Sequence, residues 1–484
     1  MIYPRIRIFR HYISRASLLL VLIESAMLLL LAHVLLATQT SAVASAQAGG
    51  IAGLSWFAVA IALICVVIFL SLGLYNRTII PNIQVMMVRF CIGLAIVAIV
   101  TYLMIKAYLG VIPAEKYPPD QYYYLPTAIM LGVAALLCTR LLFLYVSDLG
   151  VLRQRIVMIG SRELANTLQS SMIGDQALGF EIGAVMDPDI DITDRAFETG
   201  RGPNSVPIIP LETDPAAMSA VLVQFEADEL VIALDDDALL PTDALLDCKL
   251  RGIRVTEYLS FVEREMGRID LARLDPKWFI FSDGFREGIV VNIVQRSLDI
   301  LVSSAIVIFA APIIGIIALL IKLDSKGGAF YRQERTGRHG DVFTLLKFRS
   351  MTVVDTSGVG PRWAEVDDDR ITGMGYFIRQ TRIDEIPQIF NVLRGDMSII
   401  GPRPERPFFV NSLSQHIPHY KERHRVRPGI TGWAQINYPY GASVEDARER
   451  LAYDLYYVKN RSLFLDIVIL LQTVRVVLWP SGQH

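Results

Sequence analysis

The residues best suited to chemistry lie between Tyr376 and Glu405, in the run YFIRQTRIDEIPQIFNVLRGDMSIIGPRPE. Asp384 and Glu385 stand side by side, with Arg379 and Arg382 before them and Arg403 after them in a proline-stiffened GPRP loop. Pro387 follows the acids where a helix can begin, because proline is tolerated in a first helical turn but not in the interior. The sequence IPQIFNVL predicts a short helix, which places the acids at its N-terminus. There the helix dipole favours carboxylates and phosphate oxygens alike. Arginine forks engage phosphate oxygens bidentately. An ionised acid among arginines at a helix start suits phosphoryl transfer, and the second acid is free to hold a divalent metal. The same residues also describe a surface helix with a solvated charge cluster.

Such a site needs a frame, and composition narrows its kind. The 46 Lys and Arg nearly balance the 48 Asp and Glu, a formal charge of −2, which argues against nucleic acid as a partner. Cys65, Cys91 and Cys138 fall in apolar runs and Cys248 in the polar middle, which is neither a disulfide framework nor a zinc spacing. Four apolar stretches, Ala16–Ala37, Trp56–Leu74, Val88–Ile105 and Leu125–Val146, approach the length of about 20 residues that a spanning helix needs. The first is too long, and lacks a cleavage site, to be a removable signal peptide. Arg5, Arg7, Arg10 and Arg15 before the first stretch, with Arg153 and Arg155 after the fourth, put both ends of the bundle on the cytoplasmic side. The expectation is a four-helix transmembrane bundle over residues 1–150. Glu24, inside the first stretch, reads as hydrogen-bonded within the bundle, with a proton or ion site as the alternative.

From residue 151 to 287 the pattern becomes α/β. RIVMIG (Arg155–Gly160), FEIGAVMD (Phe180–Asp187), ELVIAL (Glu229–Leu234) and GIRVTEY (Gly252–Tyr258) read as strands separated by helical stretches, hence a parallel, Rossmann-like sheet. The first turn can in principle take a dinucleotide, with Asp187 on a ribose. Yet Gly160 is followed by Ser161, Arg162 and Glu163, so the further glycines are missing and Glu163 repels a pyrophosphate. A structural or regulatory module is the better reading. Asp235, Asp236 and Asp237 suit a solvated loop more than a metal, and Thr193–Pro207 an irregular surface loop.

The last part, 288–484, opens with an apolar core from Ile300 to Ile321. It is long enough to cross a bilayer, but Pro312 lies mid-segment and predicts a kink. A straight helix crosses; a bent one enters and leaves on one face. Arg296 and Lys322 flank it and can snorkel to headgroups. Beyond it, Arg332, Arg335, Arg338, Lys347 and Arg349 read as a basic belt for headgroups or a lipid phosphate, or for plain interfacial anchoring. Asp367, Asp368 and Asp369 suit a solvated turn, and His416, His419 and His424 read as surface histidines without a zinc set. Arg427 heads RPGITGW, a turn that can hold phosphate or uridine or simply pack. Asp454 is as suited to a structural hydrogen bond as to catalysis. Phe464, Ile467, Val468, Leu471, Val474 and Leu478 repeat at helical spacing beside Asp466 and Arg475, an amphipathic interfacial helix.

TRIDEIPQIFNVLRGDMSIIGPRP resembles the signature of the bacterial sugar transferases, the monotopic phosphoglycosyl transferases. FYRQERTG, FTLLKFRSM, RHRVRPGITGWAQI and YDLYYVKNRSLFLDIVILLQTV resemble the same family in order. The preceding membrane segments and soluble module are similar to the long subgroup that primes exopolysaccharide or O-antigen synthesis. Phe261–Arg286 resembles members linked to exosortase clusters. The resemblance implies transfer of a sugar-1-phosphate from a UDP-sugar to a polyprenyl phosphate, releasing UMP, at the bacterial inner membrane with the catalytic domain facing the cytoplasm. It implies a mainly α-helical catalytic domain behind a re-entrant helix bent at Ala311 and Pro312, although the family usually has serine before the proline. It implies Asp384 as nucleophile, Glu385 as Mg²⁺ ligand or proton-transfer group, with Asp384 also near the metal, and phosphate binding by Arg379, Arg382, Arg403, Lys347, Arg349 and Arg427. A homodimer is the expected assembly. The rival readings are a non-catalytic scaffold of polysaccharide assembly and an NAD-dependent sugar-modifying membrane enzyme.

Overall fold

The computed structural model describes residues 5–8, 11–40, 50–75, 83–109, 124–148, 154–170, 180–190, 206–234, 236, 239–285, 288–352, 371–439, 441 and 443–478. Asp235, Asp237, Asp367 to Asp369 and most of the Thr193–Pro207 loop therefore lie outside the described residues. The chain forms two compact units, one of Met1–Arg7 with Tyr12–Met266, the other of Ile8–His11 with Gly267–His484. The main run of the second unit starts at Gly267.

Two short strands, β1 (Arg5–Ile8) and β2 (His11–Ser14), open the chain. In the first unit, the apolar stretches form α1 (Arg15–Thr40), α2 (Gly50–Ser71), α3 (Ile83–Leu109) and α4 (Tyr124–Asp148). Helix α1 lies against α2 and α4, and α2 against α3. Glu24 of α1 is buried and bonded as expected, but its main partner is one the sequence reading missed. Arg140 of α4 reaches it at 3.0 Å, and the Tyr75 hydroxyl donates to it at 2.6 Å. The Arg140 guanidinium lies 5.2–5.3 Å from the ring centres of Phe69, Tyr75 and Phe90, a cation–π setting that further offsets its burial.

The α/β part follows as β3 (Gln154–Ile159), α5 (Arg162–Ser170), β4 (Phe180–Asp187), β5 (Ile208–Pro210), α6 (Pro215–Gln224), β6 (Glu229–Ile232), α7 (Thr242–Leu250), β7 (Arg254–Glu257) and α8 (Tyr258–Met266). The five strands are all parallel in the order β5-β4-β3-β6-β7. Val157, Ile159, Ala184, Met186 and Leu230 meet Met218, Leu222, Leu245 and Cys248 in its core. Helix α6 starts where Asp214 accepts the Ala217 N–H and Pro215 takes the first turn. Buried Glu229 receives both guanidinium nitrogens of Arg264, at 2.9 and 2.7 Å, which ties α8 to β6. Asp187, the residue considered for a ribose, instead accepts the N–H of Arg162 at the start of α5 and that of Asp189. The helix start that would take a pyrophosphate is thus already engaged by a carboxylate.

The second unit holds α9 (Pro276–Phe281), α10 (Ile289–Asp324), β8 (Phe330–Thr336), β9 (Val342–Phe348), α11 (Gly373–Gln380), α12 (Gln388–Arg394), β10 (Ser398–Ile400), α13 (Pro407–His416), β11 (Gly429–Thr431), α14 (Trp433–Asn437), α15 (Val444–Asn460) and α16 (Leu463–Leu478). It is mainly helical, with an antiparallel β8–β9 hairpin and a parallel β10–β11 pair. Helix α10 is long and apolar enough to cross a membrane, and it stays helical through Ala311 and Pro312. Both of its ends dock on this one unit. Near the start, Arg296 donates to the Val392 and Leu393 carbonyls at 2.6 and 2.7 Å. Near the end, Ile317 and Ile321 pack with Phe348 and Ile378, and Asp324 accepts the Met374 N–H. Between them Ile308 and Phe309 are 70% and 81% exposed, an apolar surface without a protein partner to cover it.

Helix α16 covers the segment expected to be an amphipathic helix. Asp466 does not face outward: it is buried with Leu465 and Ile469 and accepts the Tyr457 hydroxyl at 2.9 Å, while Ile467 and Val474 are exposed. Of the apolar stripe, Ile467 and Val474 are exposed, Phe464, Val468 and Leu471 are half-buried, and the acid faces in.

Candidate active site

The acids emerge where the sequence puts them. Helix α11 ends at Gln380, the chain passes through Arg382 in the left-handed region (φ +59°), and Ile383–Glu385 form a single 3₁₀ turn before Pro387 and α12. A non-glycine residue held there costs on the order of 1 kcal/mol, offset by what the turn presents. Ile383 packs against the cluster of Ile317, Ile321, Ala329, Phe348 and Ile378 in which the end of α10 is buried, so Asp384 directly follows a residue of that core.

The two carboxylates have opposite surroundings. Glu385 Oε1 receives Lys347 Nζ at 2.9 Å and Arg403 Nη2 at 3.0 Å. Burial opposes its ionisation, but Arg403 and Lys347 win and hold it well below the usual carboxylate range. No hydrogen bond or ion pair among the described residues engages the Asp384 carboxylate. Burial pushes it up, Lys347 pulls it back, and the Glu385 charge pushes again, leaving it raised to about 6. Arg379 and Arg382 also bear on it as cations. One acid is therefore a fixed anchor for two cations, and the other is open to a ligand and titrates near neutrality.

The frame around this pair was only partly visible in the sequence. Asn391 of α12 accepts the Leu346 N–H at 3.0 Å and donates to the Thr344 carbonyl at 2.7 Å, clamping α12 to β9 so that Lys347 meets Glu385. The Arg403 loop is pinned at successive peptides. Gly401 N–H donates to Thr431, Pro402 O accepts from Gly429, Arg403 O from Arg423, and Pro404 O from Arg335. Arg423 is itself held by the Tyr420 hydroxyl at 2.7 Å and by Asp454 at 2.7 Å, deep inside the unit. Asp454 thus acts through Arg423 on the Arg403 backbone, the structural side of the two readings. The RPGITGW turn also serves packing. A Cβ on Gly429 would sit 2.1 Å from the Gly401 nitrogen, so only glycine lets β10 and β11 approach this closely.

The basic belt is not a belt. Lys347 points to Glu385, Arg335 to the Pro404 carbonyl and Glu405, and Arg332 alone of the five is fully on the exposed side. Arg349 is buried and donates to the Ile321, Ser325 and Lys326 carbonyls, capping the C-terminal end of α10 rather than facing a phosphate. Arg427 lies in a separate cleft with Arg296 and Arg338. His424 is buried, not on the surface, and burial with neighbouring Arg423 lowers it to about 3.

No group of three acids, histidines or cysteines suited to a metal occurs among the described residues. A Mg²⁺ ion needs only one or two carboxylates when substrate phosphates complete its shell. Asp384 fits that role. Glu385 fits it less well, because Oε1 already serves Lys347 and Arg403.

Comparison with known proteins supplies the context for this geometry. The sequence model of the family "Bacterial sugar transferase" matches residues 290–480, which include the whole site. An Aeromonas hydrophila protein, UDP-N-acetylgalactosamine-undecaprenyl-phosphate N-acetylgalactosaminephosphotransferase, is 38% identical over 259 residues, 53% of this chain and 60% of that protein. A Xanthomonas campestris UDP-glucose:undecaprenyl-phosphate glucose-1-phosphate transferase is 46% identical over 34% of this chain and 35% of its own length. The match spans less than two thirds of both. A Caulobacter vibrioides protein of the same name as the second is 40% identical over 40% of this chain and 74% of its own length. The chain belongs to the bacterial sugar transferase family.

Proposed function

We propose that this chain transfers a sugar-1-phosphate from a UDP-sugar to undecaprenyl phosphate, releasing UMP, as the first membrane step of an exopolysaccharide or O-antigen type glycan. The observation that carries this is the unequal acid pair: Glu385 locked between Lys347 and Arg403, and Asp384 with a carboxylate open to a ligand. A scaffold has no use for such a pair, and the carboxylate-capped start of α5 speaks against NAD chemistry.

In the first step an Asp384 carboxylate oxygen bonds to the β-phosphorus. The bond from that phosphorus to the bridging oxygen breaks, and UMP leaves with the electron pair. In the second, an oxygen of the polyprenyl phosphate attacks the same phosphorus and Asp384 departs as a carboxylate. Lys347, Arg379 and Arg382 bring positive charge to Asp384, and Lys347 fixes Glu385 so that Arg403, bonded to the same carboxylate, keeps its orientation. Asp384 would hold Mg²⁺ together with substrate oxygens; bound there, the ion neutralises diphosphate charge.

The membrane arrangement follows the same reading. Helices α1–α4 form a multi-pass bundle at the inner membrane, and the parallel sheet, whose first strand is central, is a Rossmann-like module. Helix α10 dips into the cytoplasmic leaflet and returns. Docking of both its ends on one unit supports this, since a crossing helix would leave one end on the far side.

The test is incubation of the full-length membrane protein with a panel of UDP-sugars, with and without undecaprenyl phosphate. UMP and a phosphosugar-labelled protein are expected before lipid is added. Absence of both until lipid is present would replace the covalent route by direct attack. Asp384→Asn that still forms the adduct would remove Asp384 from the role.

A further inference from the structure

One side chain holds the far end of α10. A helix leaves its last carbonyls without partners of its own. Arg349, directly after β9, gathers the carbonyls at and just past this end. Its Nη2 donates to the Ile321 carbonyl at 3.3 Å and to the Ser325 carbonyl and hydroxyl at 2.7 and 3.0 Å, and its Nη1 donates to the Lys326 carbonyl at 2.7 Å. Arg349 is buried, so its charge meets the negative end of the α10 dipole with little water to screen it. The turn it grips has no slack. Gly327 sits at φ +129°, and a Cβ there would lie 2.0 Å from Arg349 Nη1. The same segment reaches the acid pair. Lys347, on the strand that ends just before Arg349, holds Glu385. The Arg349 N–H donates to the Ala329 carbonyl, and the Ser350 carbonyl accepts the Thr372 N–H at 3.2 Å, where α11 begins. A Cβ on Gly375 would lie 1.9 Å from the Ser350 carbonyl oxygen. Asp324, the last residue of α10, accepts the Met374 N–H at 3.2 Å. Arg349 and Ser350 are therefore gripped between the end of α10 and the start of α11, and α11 leads through Arg382 to Asp384.

The two substrates meet Asp384 by different routes. A UDP-sugar arrives through water and can meet the acid at any height above the leaflet. A phosphate carried on a hydrocarbon chain arrives at the height that the leaflet sets. The height of Asp384 is fixed where α10 leaves the leaflet, and that exit is what Arg349 holds. We propose that Arg349 is a positioning residue for the acceptor step: by tying the end of α10 to β9 and α11 it keeps Asp384 level with a lipid-borne phosphate. The proposal rests on the two-step transfer and on the entry of α10 into the leaflet, both proposed above. Arg349 touches neither the acid pair nor a reacting atom; it acts through the height of the acid turn. Without it, the last turn of α10, about 5.4 Å long, loses its cap, whereas a displacement of about 1 Å already costs around 100-fold in rate.

The test compares the two half-reactions in full-length protein. One sample is in phospholipid nanodiscs with undecaprenyl phosphate as acceptor. The other is in detergent with a short-chain polyprenyl phosphate, whose height no leaflet fixes. The donor is the UDP-sugar that the wild type uses best. For Arg349→Met in nanodiscs, the UMP burst before acceptor is added should stay within about threefold of the wild type, while transfer to undecaprenyl phosphate falls about 30-fold or more. In detergent the transfer defect should shrink to about fivefold or less. Arg349→Lys, which keeps a cation at the helix end, should recover part of the nanodisc transfer. Gly327→Ala should reproduce the split, because its methyl displaces the guanidinium while Arg349 stays in the chain. Burst and transfer falling by the same factor overturn the proposal, because a purely structural role lowers both. An equal transfer defect in nanodiscs and detergent overturns it, and so does undiminished nanodisc transfer by a folded variant. If Arg349→Met fails to fold, Arg349→Lys and Gly327→Ala decide by the same ratios. Absence of a burst from the wild type is a failure of the two-step reading, not of this one, and the ratio of nanodisc to detergent transfer then decides alone.

Discussion

Asp454 and Arg423 offer a way to separate holding the fold from aiming the site. Their side chains are 2% and 7% exposed and 2.7 Å apart. Asp454→Asn keeps the shape but leaves the Arg423 charge buried without its counter-ion, a loss of about 3–5 kcal/mol. For a unit of this size that corresponds to a fall of roughly 6–20 °C in Tm. Arg423→Met should cost less stability, because burial already holds the Asp454 carboxyl above its ordinary range and it can take up a proton once Arg423 is gone. The double variant Asp454→Asn with Arg423→Met removes both charges and should recover most of the Tm. Activity should not follow. Arg423 also donates to the Arg403 carbonyl at 3.0 Å, and without that bond the Arg403 side chain loses its aim at Glu385. A displacement of about 1 Å costs around 100-fold in rate, so both the single Arg423 variant and the double should release UMP some 10–100 times more slowly. Thermal unfolding in detergent and UMP release from the same preparations provide the two readouts. If the double variant regains activity together with Tm, Arg423 serves stability alone and the positioning argument fails.

Two further outcomes follow from the site. Because Asp384 is raised to about 6, it takes up a proton as pH falls through a range where an ordinary aspartate stays charged. About nine-tenths should be ionised at pH 7 and about one-tenth at pH 5, so the UMP burst should drop about tenfold between them, and added Mg²⁺ should move the limb lower; a limb near pH 4 without added Mg²⁺ refutes the burial argument. Gly429→Ala would put a Cβ 2.1 Å from the Gly401 nitrogen, where about 3 Å is the closest real approach. It should separate β10 from β11, cost about 1–3 kcal/mol and cut UMP release about 100-fold; normal kinetics would show that the Arg403 loop does not depend on this contact.

What the sequence disclosed depended on how local each cause was. The acid pair before α12 was legible because Pro387 and the short apolar run are adjacent to it. The strands β3, β4, β6 and β7 were legible because strands covered on both faces read as apolar runs. The three-residue strand β5 carries too little pattern to detect. The roles of the basic residues were not legible, since alternation along the β8–β9 hairpin decides which face each takes and the acceptors, backbone carbonyls for Arg349 and a carboxylate for Lys347, are distant in the chain. Arg349 meets a helix end some 24–28 residues back in the chain. Arg140 meets Glu24 across 116 residues. In each case the partner and its direction were supplied only by the fold.

One contact constrains how the molecule can be made. His11 is buried in the second unit, where Nδ1 lies 2.9 Å from the Tyr456 hydroxyl, 445 residues later in the chain, and its ring meets Trp433 edge-on at 5.2 Å. At roughly 5–20 residues per second, synthesis separates the emergence of these partners by on the order of 20–90 s. Throughout that interval the segment around His11 must stay unclaimed while the intervening helices and sheet are made. The segment carrying His11 is therefore made long before the partners that complete this core, and the unit closes only after the acid pair, more than 370 residues downstream of His11, has been synthesised.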